Sequence, residues 1–273
     1  MTRVPRFPIG LDQVHARPAA RTDTTVVMRP QRPLEDAAQN LARQSRPSGL
    51  GLDSAAVRRR MVERLRAQGL HCEPVLQALA TVERHRFVDS ALATQAYEDT
   101  SLPIGLSQTI SKPSVVGHML ALLFDGAAAR EMGHLGNVLE IGTGCGYQAA
   151  LLLHLARRVV SIERLQGLHD KARDNLASLR QGSSQGDLRL VFGDGRLGHA
   201  PRAPYQSIVA AAGGESLPEA WLQQLAVGGR LVAPMQSGPG GGQRLVIVDR
   251  GLEGLVTYQQ DAVHFVPLKS GTE

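Results

Sequence analysis

Apolar residues first recur at a regular spacing just after residue 53. Val57, Met61 and Leu65 fall on one face of a helix that would end at Gly69. The same spacing continues in the next sixty residues, interrupted after about residue 95 by an irregular loop that leads to residues 102–105. Further helices are predicted over residues 73–82 and 114–124, and a short helix between them is predicted to end at about residue 95.

From residue 138 onward, short apolar runs rich in β-branched residues alternate with helical segments. Such runs predict buried strands, and the alternation predicts strand-helix-strand units around a parallel sheet. After residue 225 no helix separates the strands, so the last ones should pair antiparallel. The fold class is therefore α/β, a doubly wound sheet with antiparallel C-terminal edge strands and added N-terminal helices. The predicted strands are 138–141, 159–163, 188–192, 207–211, 229–234, 243–249 and 255–266, and the helices between them are 148–156, 165–180 and 217–225.

A glycine-rich turn follows the first of these strands. Glu140 near the strand end is followed by Gly142, Gly144 and Gly146, which gives G-x-G-x-G and not the G-x-G-x-x-G of dinucleotide-binding enzymes. Glycines without side chains let a ligand approach the backbone and permit backbone angles closed to other residues. The tighter spacing with its acid resembles the first motif of S-adenosylmethionine-dependent methyltransferases, in which a carboxylate suits a cationic ligand.

Two later acids end the next two strands. Glu163 closes the second strand, where a carboxylate can accept hydrogen bonds from both ribose hydroxyls, and Asp194 with Gly195 follows the third strand. Carboxyl ends of parallel strands lie at one edge, so we expect these residues beside Glu140. Asp194 would accept a hydrogen bond from an adenine amino group.

The charge of the chain is concentrated outside the predicted sheet. The formal net charge is +5 over 273 residues, but residues 1–50 alone hold eight arginines against four acidic residues, together with scattered prolines. We expect residues 1–50 to be a disordered basic extension and residues 51–273 to form the methyltransferase domain. Within that domain, residues 51–125 would carry helices and the substrate loop, and residues 126–273 the cofactor-binding sheet. The domain itself is nearly neutral, so no nucleic-acid partner is expected.

Other features of the composition exclude several classes of protein. No apolar run is long enough for a membrane span and the N-terminus lacks a signal-peptide core, so we expect a cytoplasmic protein without a membrane partner. Cys72 and Cys145 form no C-x-x-C pair, and the histidines show no ligand spacing. No metal is therefore predicted.

Ser111 lies just before Lys112 and Pro113, at the start of the predicted helix over residues 114–124. Serine is a favourable N-cap and proline suits the first turn, so Ser111 is predicted to cap this helix.

The order of motifs resembles the protein-L-isoaspartate O-methyltransferase family over about residues 55–268. The quoted segments are Leu102-Pro-Ile-Gly105, Gln108-Thr-Ile-Ser-Lys-Pro113, the glycine motif, Ser161-Ile-Glu-Arg164, Gly193-Asp-Gly195 and Phe265-Val-Pro-Leu268. The resemblance implies a Rossmann-like fold and methyl transfer from S-adenosylmethionine to the free α-carboxylate of isoaspartyl residues in damaged proteins. It further implies a monomer and a catalytic role for Ser111. Departures at Glu98, Ser114 and Gly213-Gly214 concern selectivity for the peptide.

Two alternatives remain open from the sequence. One is another methyltransferase on the same sheet that acts on RNA or a small molecule, with the basic extension holding the substrate. The other is a protein that binds S-adenosylmethionine or nucleic acid without catalysis. A methylation assay on an isoaspartyl peptide separates these alternatives from the main hypothesis.

Overall fold

The computed structural model describes residues 55–177, 187–238 and 241–273. The expectation for residues 1–50 therefore lies outside the described residues. No helix of the described ranges is both long enough and apolar enough to cross a membrane.

A seven-stranded sheet forms the centre of the fold, with strand order β5-β4-β3-β6-β7-β8-β9. Strands β3 to β7 are parallel, whereas β8 runs antiparallel between β7 and β9. The predicted sheet with an antiparallel C-terminal edge is thus confirmed. The strand bounds are β3 Asn137–Ile141, β4 Arg158–Glu163, β5 Asp187–Phe192, β6 Tyr205–Ala210, β7 Leu225–Gln236, β8 Gln243–Arg250 and β9 Leu255–Val263.

The helices agree with the predicted ones to within a few residues, apart from one short helix that the pattern did not indicate, α4. The helix bounds are α1 Ala55–Ala67, α2 Glu73–Thr81, α3 Pro113–Phe124, α4 Ala127–Met132, α5 Tyr147–Leu155, α6 Gln166–Ala177 and α7 Glu219–Gln224. Short 3₁₀ helices cover Arg84–Phe87, Ser90–Gln95, Gly195–Leu197 and Ala200–Arg202.

Successive residues of each central strand pack into different hydrophobic cores on the two faces of the sheet. On β3, Val138 packs with residues of α1, α2, α3 and α5, while Leu139 and Ile141 pack with Trp221 of α7 on the opposite face. This alternation follows from the twofold period of a strand. Glu140 therefore shares the Val138 face, the one covered by the N-terminal helices.

A hairpin that the sequence pattern did not indicate follows the irregular loop. Strands β1 Leu102–Gly105 and β2 Gln108–Ile110 pair antiparallel around Leu106 and Ser107, whose φ angles are 51° and 57°. Two successive positive φ values match a primed hairpin turn, which normally carries Asn or Gly. The sequence did not indicate this hairpin because Leu106 and Ser107 carry none of that signal.

Candidate active site

The site lies where the strand order changes direction. Strand β3 has β4 on one side and β6 on the other, and ligands of open α/β sheets bind at the carboxyl end of such a switch point. A cavity of about 820 Å³ opens there. Residues from the hairpin, the glycine turn, the end of β4 and residues 266–269 line this cavity, among them Ser111, Gly142, Gly144, Glu163 and Gly195.

The three glycines of the turn differ in what surrounds them. Their φ angles are 89°, 58° and 91° at Gly142, Gly144 and Gly146, all in the left-handed region that favours glycine. A Cβ on Gly146 would lie 2.9 Å from Cδ1 of Leu176 in α6, so this glycine permits the helices to pack closely. Gly142 and Gly144 line the cavity, whereas Gly146 does not.

Glu163 organises the turn from the neighbouring strand. Its Oε2 accepts a hydrogen bond from the Gly144 amide at 2.8 Å, and its Oε1 accepts bonds from the amides of Arg164 and Leu165 at 2.9 and 3.0 Å. A carboxylate has about four lone-pair sites, so it can still accept from a ligand. Glu163 also lines the cavity, as the ribose hypothesis requires.

Glu140 lies behind the turn and does not line the cavity. Its side chain is fully buried on the Val138 face, and burial raises its pKa to about 8 although a hydrogen bond from Ser161 opposes this shift. Its Oε1 has no hydrogen-bond partner among the described residues. Glu140 is therefore linked to the glycine turn through Ser161 and Thr143 and does not reach the cavity itself.

Asp194 also lies outside the cavity lining, next to Gly195, which does line it. Asp194 Oδ1 accepts from the Arg196 amide at 2.9 Å, and its Oδ2 accepts from the Gly271 amide at 2.7 Å. The segment 269–273, which the sequence did not connect with the site, thus reaches the acid predicted to hold adenine. Glu273 of the same segment lines the cavity and pairs with Arg164.

The backbone of Gly195 is fixed by Trp221. Trp221 is fully buried, and its Nε1 donates a hydrogen bond of 2.8 Å to the Gly195 carbonyl. A Cβ on Gly195 would lie 2.5 Å from Cγ2 of Ile141, so no larger residue fits. These contacts place the Gly195 backbone at the wall of the cavity.

Ser111 lines the cavity but does not cap the following helix. The N-cap position is Lys112, and the cap interaction comes from Asp99, whose carboxylate accepts from the Ser114 amide at 2.9 Å and the Ser114 hydroxyl at 2.7 Å. The capping prediction for Ser111 was wrong because a residue earlier in the chain supplies the acceptor. The Ser111 hydroxyl has no hydrogen-bond partner among the described residues, which leaves it available to a substrate.

Arg84 is a residue of this region that the sequence pattern did not indicate. Its side chain is fully buried and donates to the Ser111 carbonyl at 2.8 Å. A single arginine in a short segment gives no periodic signal, so only the contacts of the folded chain identify it.

A metal site is not evident in the part of the chain that the structure describes. No three side chains of His, Cys, Asp or Glu type cluster there in a way that could hold an ion.

The groups that line the cavity fit S-adenosylmethionine. The molecule combines an adenosine with a positively charged sulfonium and amino group, and the cavity offers the open backbone of Gly142 and Gly144 and, at Glu163, a carboxylate in its wall. Sheet order, glycine turn and strand-end acids define a Rossmann-like methyltransferase that uses S-adenosylmethionine.

Comparison with known proteins narrows this class. The model of the family "Protein-L-isoaspartate(D-aspartate) O-methyltransferase (PCMT)" matches residues 56–273. The chain is 58% identical to the protein-L-isoaspartate O-methyltransferase of Methylibium petroleiphilum, over 98% of this chain and 97% of that protein. It is also 58% identical to the Leptothrix cholodnii enzyme of the same name, over 89% and 84% of the two chains. The chain belongs to the protein-L-isoaspartate O-methyltransferase family.

Solved structures agree with this assignment. One protein-L-isoaspartate O-methyltransferase superposes with a TM-score of 0.67 at 25% identity, and the match covers 77% of this chain but only 65% of that one, just under two thirds of its length. A Plasmodium falciparum protein, solved in complex with S-adenosyl-L-homocysteine, shares the fold with a TM-score of 0.66 at 19% identity over 78% of this chain.

Proposed function

We propose that this chain transfers the methyl group of S-adenosylmethionine to the free α-carboxylate of L-isoaspartyl residues, and to the free side-chain carboxylate of D-aspartyl ones, in damaged proteins. The observation that carries the proposal is that Ser111 lines the same cavity as Gly144 and Glu163. One cavity therefore combines a nucleotide-binding turn with a free hydroxyl from the family-specific Gln108–Pro113 segment. The methylated carboxyl would begin the repair of the damaged residue.

On the donor side, each acid has a distinct task. Glu163 would accept from the ribose hydroxyls while its other contacts hold the turn in shape. Asp194 would accept from the adenine amino group, beside the Gly195 backbone, and Glu140 would support the turn from beneath through Ser161 and Thr143. Gly142 and Gly144 let the ligand approach the backbone, and Gly146 keeps α6 close.

On the acceptor side, no general base is required. A carboxylic acid with a pKa of about 3 to 4 is already ionised at neutral pH, so its oxygen is ready to attack. The Ser111 hydroxyl would donate a hydrogen bond to one carboxylate oxygen and orient the other toward the methyl group. Bound S-adenosylmethionine would supply the activated methyl group. The bond between its sulfur and the methyl carbon breaks as the new carbon–oxygen bond forms, and the sulfur is left as a neutral thioether.

The walls of the cavity favour this transfer by limiting water. Ile104, Ile110 and Val116 line it on the acceptor side, and Val266 and Leu268 line it from the end of the chain. Holding both reactants in line within such walls can lower a two-reactant barrier by several kcal/mol. The site therefore acts mainly by placement.

The test is methyl transfer from radiolabelled S-adenosylmethionine into an isoaspartyl peptide and its normal aspartyl twin. We expect strong labelling of the isoaspartyl peptide alone. Equal labelling of both peptides, or of neither, would overturn the proposed substrate in favour of another methyltransferase or a binding protein.

The role of Ser111 is tested by Ser111→Ala, with Ser114→Ala as the matched control. We expect the first variant to lose about tenfold or more in kcat, because the carboxylate loses its orienting donor. The Ser114 hydroxyl bonds to Asp99 and lies outside the cavity lining, so its loss should leave kcat unchanged. Wild-type turnover in Ser111→Ala would remove Ser111 from the mechanism.

A further inference from the structure

Within the described residues, Nε and Nη2 of Arg84 donate hydrogen bonds to three backbone carbonyls around the acceptor side of the site, while its Nη1 has no partner there. Its Nε donates to the Ala96 carbonyl at 2.8 Å, and its Nη2 donates to the carbonyls of Ser111 and Thr100 at 2.8 and 3.4 Å. These carbonyls lie 12, 27 and 16 residues away along the chain. One side chain thus fixes three separated points of the segment that leads to Ser111.

The guanidinium also contacts the side of the site that is proposed to hold the methyl donor. Its central carbon lies 4.8 Å from the centre of the Tyr147 ring, within the range of a cation–π interaction. Tyr147 is the first residue of α5, directly after Gly146, and it lines the cavity. Arg84 therefore lies between the residue proposed to hold the carboxylate and the turn proposed to hold the methyl donor.

Burying the Arg84 cation costs free energy. Burial lowers the pKa of Arg84, and no carboxylate pairs with it in the described ranges, although an arginine remains charged in proteins. Burying a charge without an ion pair is unfavourable unless hydrogen bonds or structural constraints offset it. A leucine or methionine would fill a purely structural position at lower cost, so the planar set of donors is what distinguishes arginine here.

We infer that Arg84 is a positioning residue for methyl transfer, which holds the Ser111 backbone at a fixed place relative to the glycine turn through Tyr147. The inference rests on the proposed role of Ser111. Arg84 does not touch the substrate. It acts by keeping the hydroxyl of Ser111 within reach of a carboxylate that faces the donor.

The first test compares Arg84→Lys with Arg230→Lys. A lysine ammonium cannot reach the three carbonyls in the plane that the guanidinium spans, so Ser111 should shift and kcat on the isoaspartyl peptide should fall about tenfold to a hundredfold. Affinity for S-adenosylhomocysteine, measured by calorimetry, should change less than about threefold, since the acids that hold it stay in place.

Arg230 is a suitable control because it makes a comparable number of contacts away from the site. It bonds to both oxygens of Asp249 at 2.6 Å and to the Leu122 carbonyl at 3.0 Å. Arg230→Lys should lower the unfolding midpoint but leave kcat unchanged. Equal losses of kcat in the two variants, or a wild-type kcat in Arg84→Lys, would overturn the inference. If Arg84→Lys does not fold, Arg84→Gln carries the same prediction, because it places no charge in the buried site.

A double-mutant cycle with Ser111→Ala separates positioning from general destabilisation. If Arg84 acts through Ser111, Arg84→Lys should reduce kcat by less than about threefold in the Ser111→Ala background, as expected for coupled residues. The same loss in both backgrounds would overturn the inference while leaving the role of Ser111 intact. Wild-type kcat in Ser111→Ala alone would instead overturn the proposed role of Ser111.

Discussion

Ser161 Oγ donates a hydrogen bond of 2.5 Å to Oε2 of Glu140 inside the sheet. The two residues are register partners on β4 and β3, so their side chains leave the sheet on the same face. Thr143 Oγ1 lies 2.5 Å from the same Ser161 oxygen and is hydrogen-bonded to it. A chain of hydroxyls therefore connects the glycine turn to a buried carboxyl group.

This carboxyl group predicts a pH-dependent stability. The pKa of Glu140 rises to about 8 because burial disfavours the charged form, against an ordinary value of 4.5. Between these two pH values the folded protein keeps a proton that the unfolded chain has released. The free energy of unfolding should therefore fall as pH rises from about 4.5 to about 8 and level off above it.

Glu140→Gln isolates this contribution, because the amide cannot ionise. We expect wild type to lose a few kcal/mol of unfolding free energy relative to Glu140→Gln when the pH rises from about 5 to about 8.5. Chemical denaturation of both proteins without ligand measures this difference. Ser161 and Thr143 stay unchanged in both proteins. Parallel pH curves for the two proteins would show that Glu140 is already ionised at pH 5.

The glycines of the turn should separate binding from folding. At Gly144 a Cβ would lie 3.3 Å from Cδ1 of Ile104 at the cavity, and at Gly146 it would press on Leu176 at 2.9 Å. Both positions also have positive φ, which costs an alanine about 1 to 2 kcal/mol. Gly146→Ala should therefore show the larger drop in unfolding midpoint, and Gly144→Ala the larger loss in affinity for S-adenosylhomocysteine.

Calorimetric titration and thermal denaturation of both variants check this contrast. Gly133→Ala provides a control for φ alone, because it has a φ of 70° with nothing within 4 Å of the added Cβ. If Gly146→Ala were no less stable than this control, the close packing of α6 on the turn would not contribute to the stability of the fold.

The parts of the fold that the sequence predicted depend on local patterns. The β-branched apolar runs, the glycine spacing and the acids near the ends of β3 and β4 are read from neighbouring residues, and the strands and helices they indicate were confirmed. Ser111, Glu163 and Gly195, which the sequence places far apart, line one cavity, and the roles of these site residues stay predictions.

What the sequence missed depends on contacts between distant residues. Asp99 bonds to Ser114 across 15 positions, and the Gly271 amide reaches Asp194 across 77. Neither pairing leaves a periodic signal, and a carboxylate can cap a helix from any loop that approaches it. Capping by the nearest serine was the locally reasonable prediction, and the tertiary structure overrides it.

The cap of α3 gives a prediction about stability. Asp99→Ala removes the acceptor for both the amide and the hydroxyl of Ser114, so the free energy of unfolding should fall by about 1 to 2 kcal/mol. Ser114→Ala keeps the amide bond and should lose less. Denaturation of the two variants measures both effects. An equal loss in Ser114→Ala would mean that the hydroxyl, and not the backbone amide, accounts for the stabilisation by Asp99.

Glu163→Gln should weaken donor binding more than the loss of one charge implies. The carboxylate accepts three backbone amides, one on Oε2 and two on Oε1. In glutamine one of these oxygens becomes an NH₂ group, and its hydrogens would then face the N–H of Gly144 or those of Arg164 and Leu165. Leaving a buried donor without an acceptor costs about 1 to 3 kcal/mol, so the turn should open as well as lose its acceptor for ribose.

We therefore expect Glu163→Gln to bind S-adenosylhomocysteine at least about tenfold more weakly than wild type and to unfold at a lower denaturant concentration. Glu131→Gln, on an exposed position of α4, serves as the control for removing a negative charge and should change neither property. Calorimetry and denaturation of the two variants decide the matter. Wild-type affinity in Glu163→Gln would show that the ligand is held without this carboxylate. Weaker binding with unchanged stability would instead show that Glu163 contributes only to ribose binding, and that the glycine turn keeps its conformation without it.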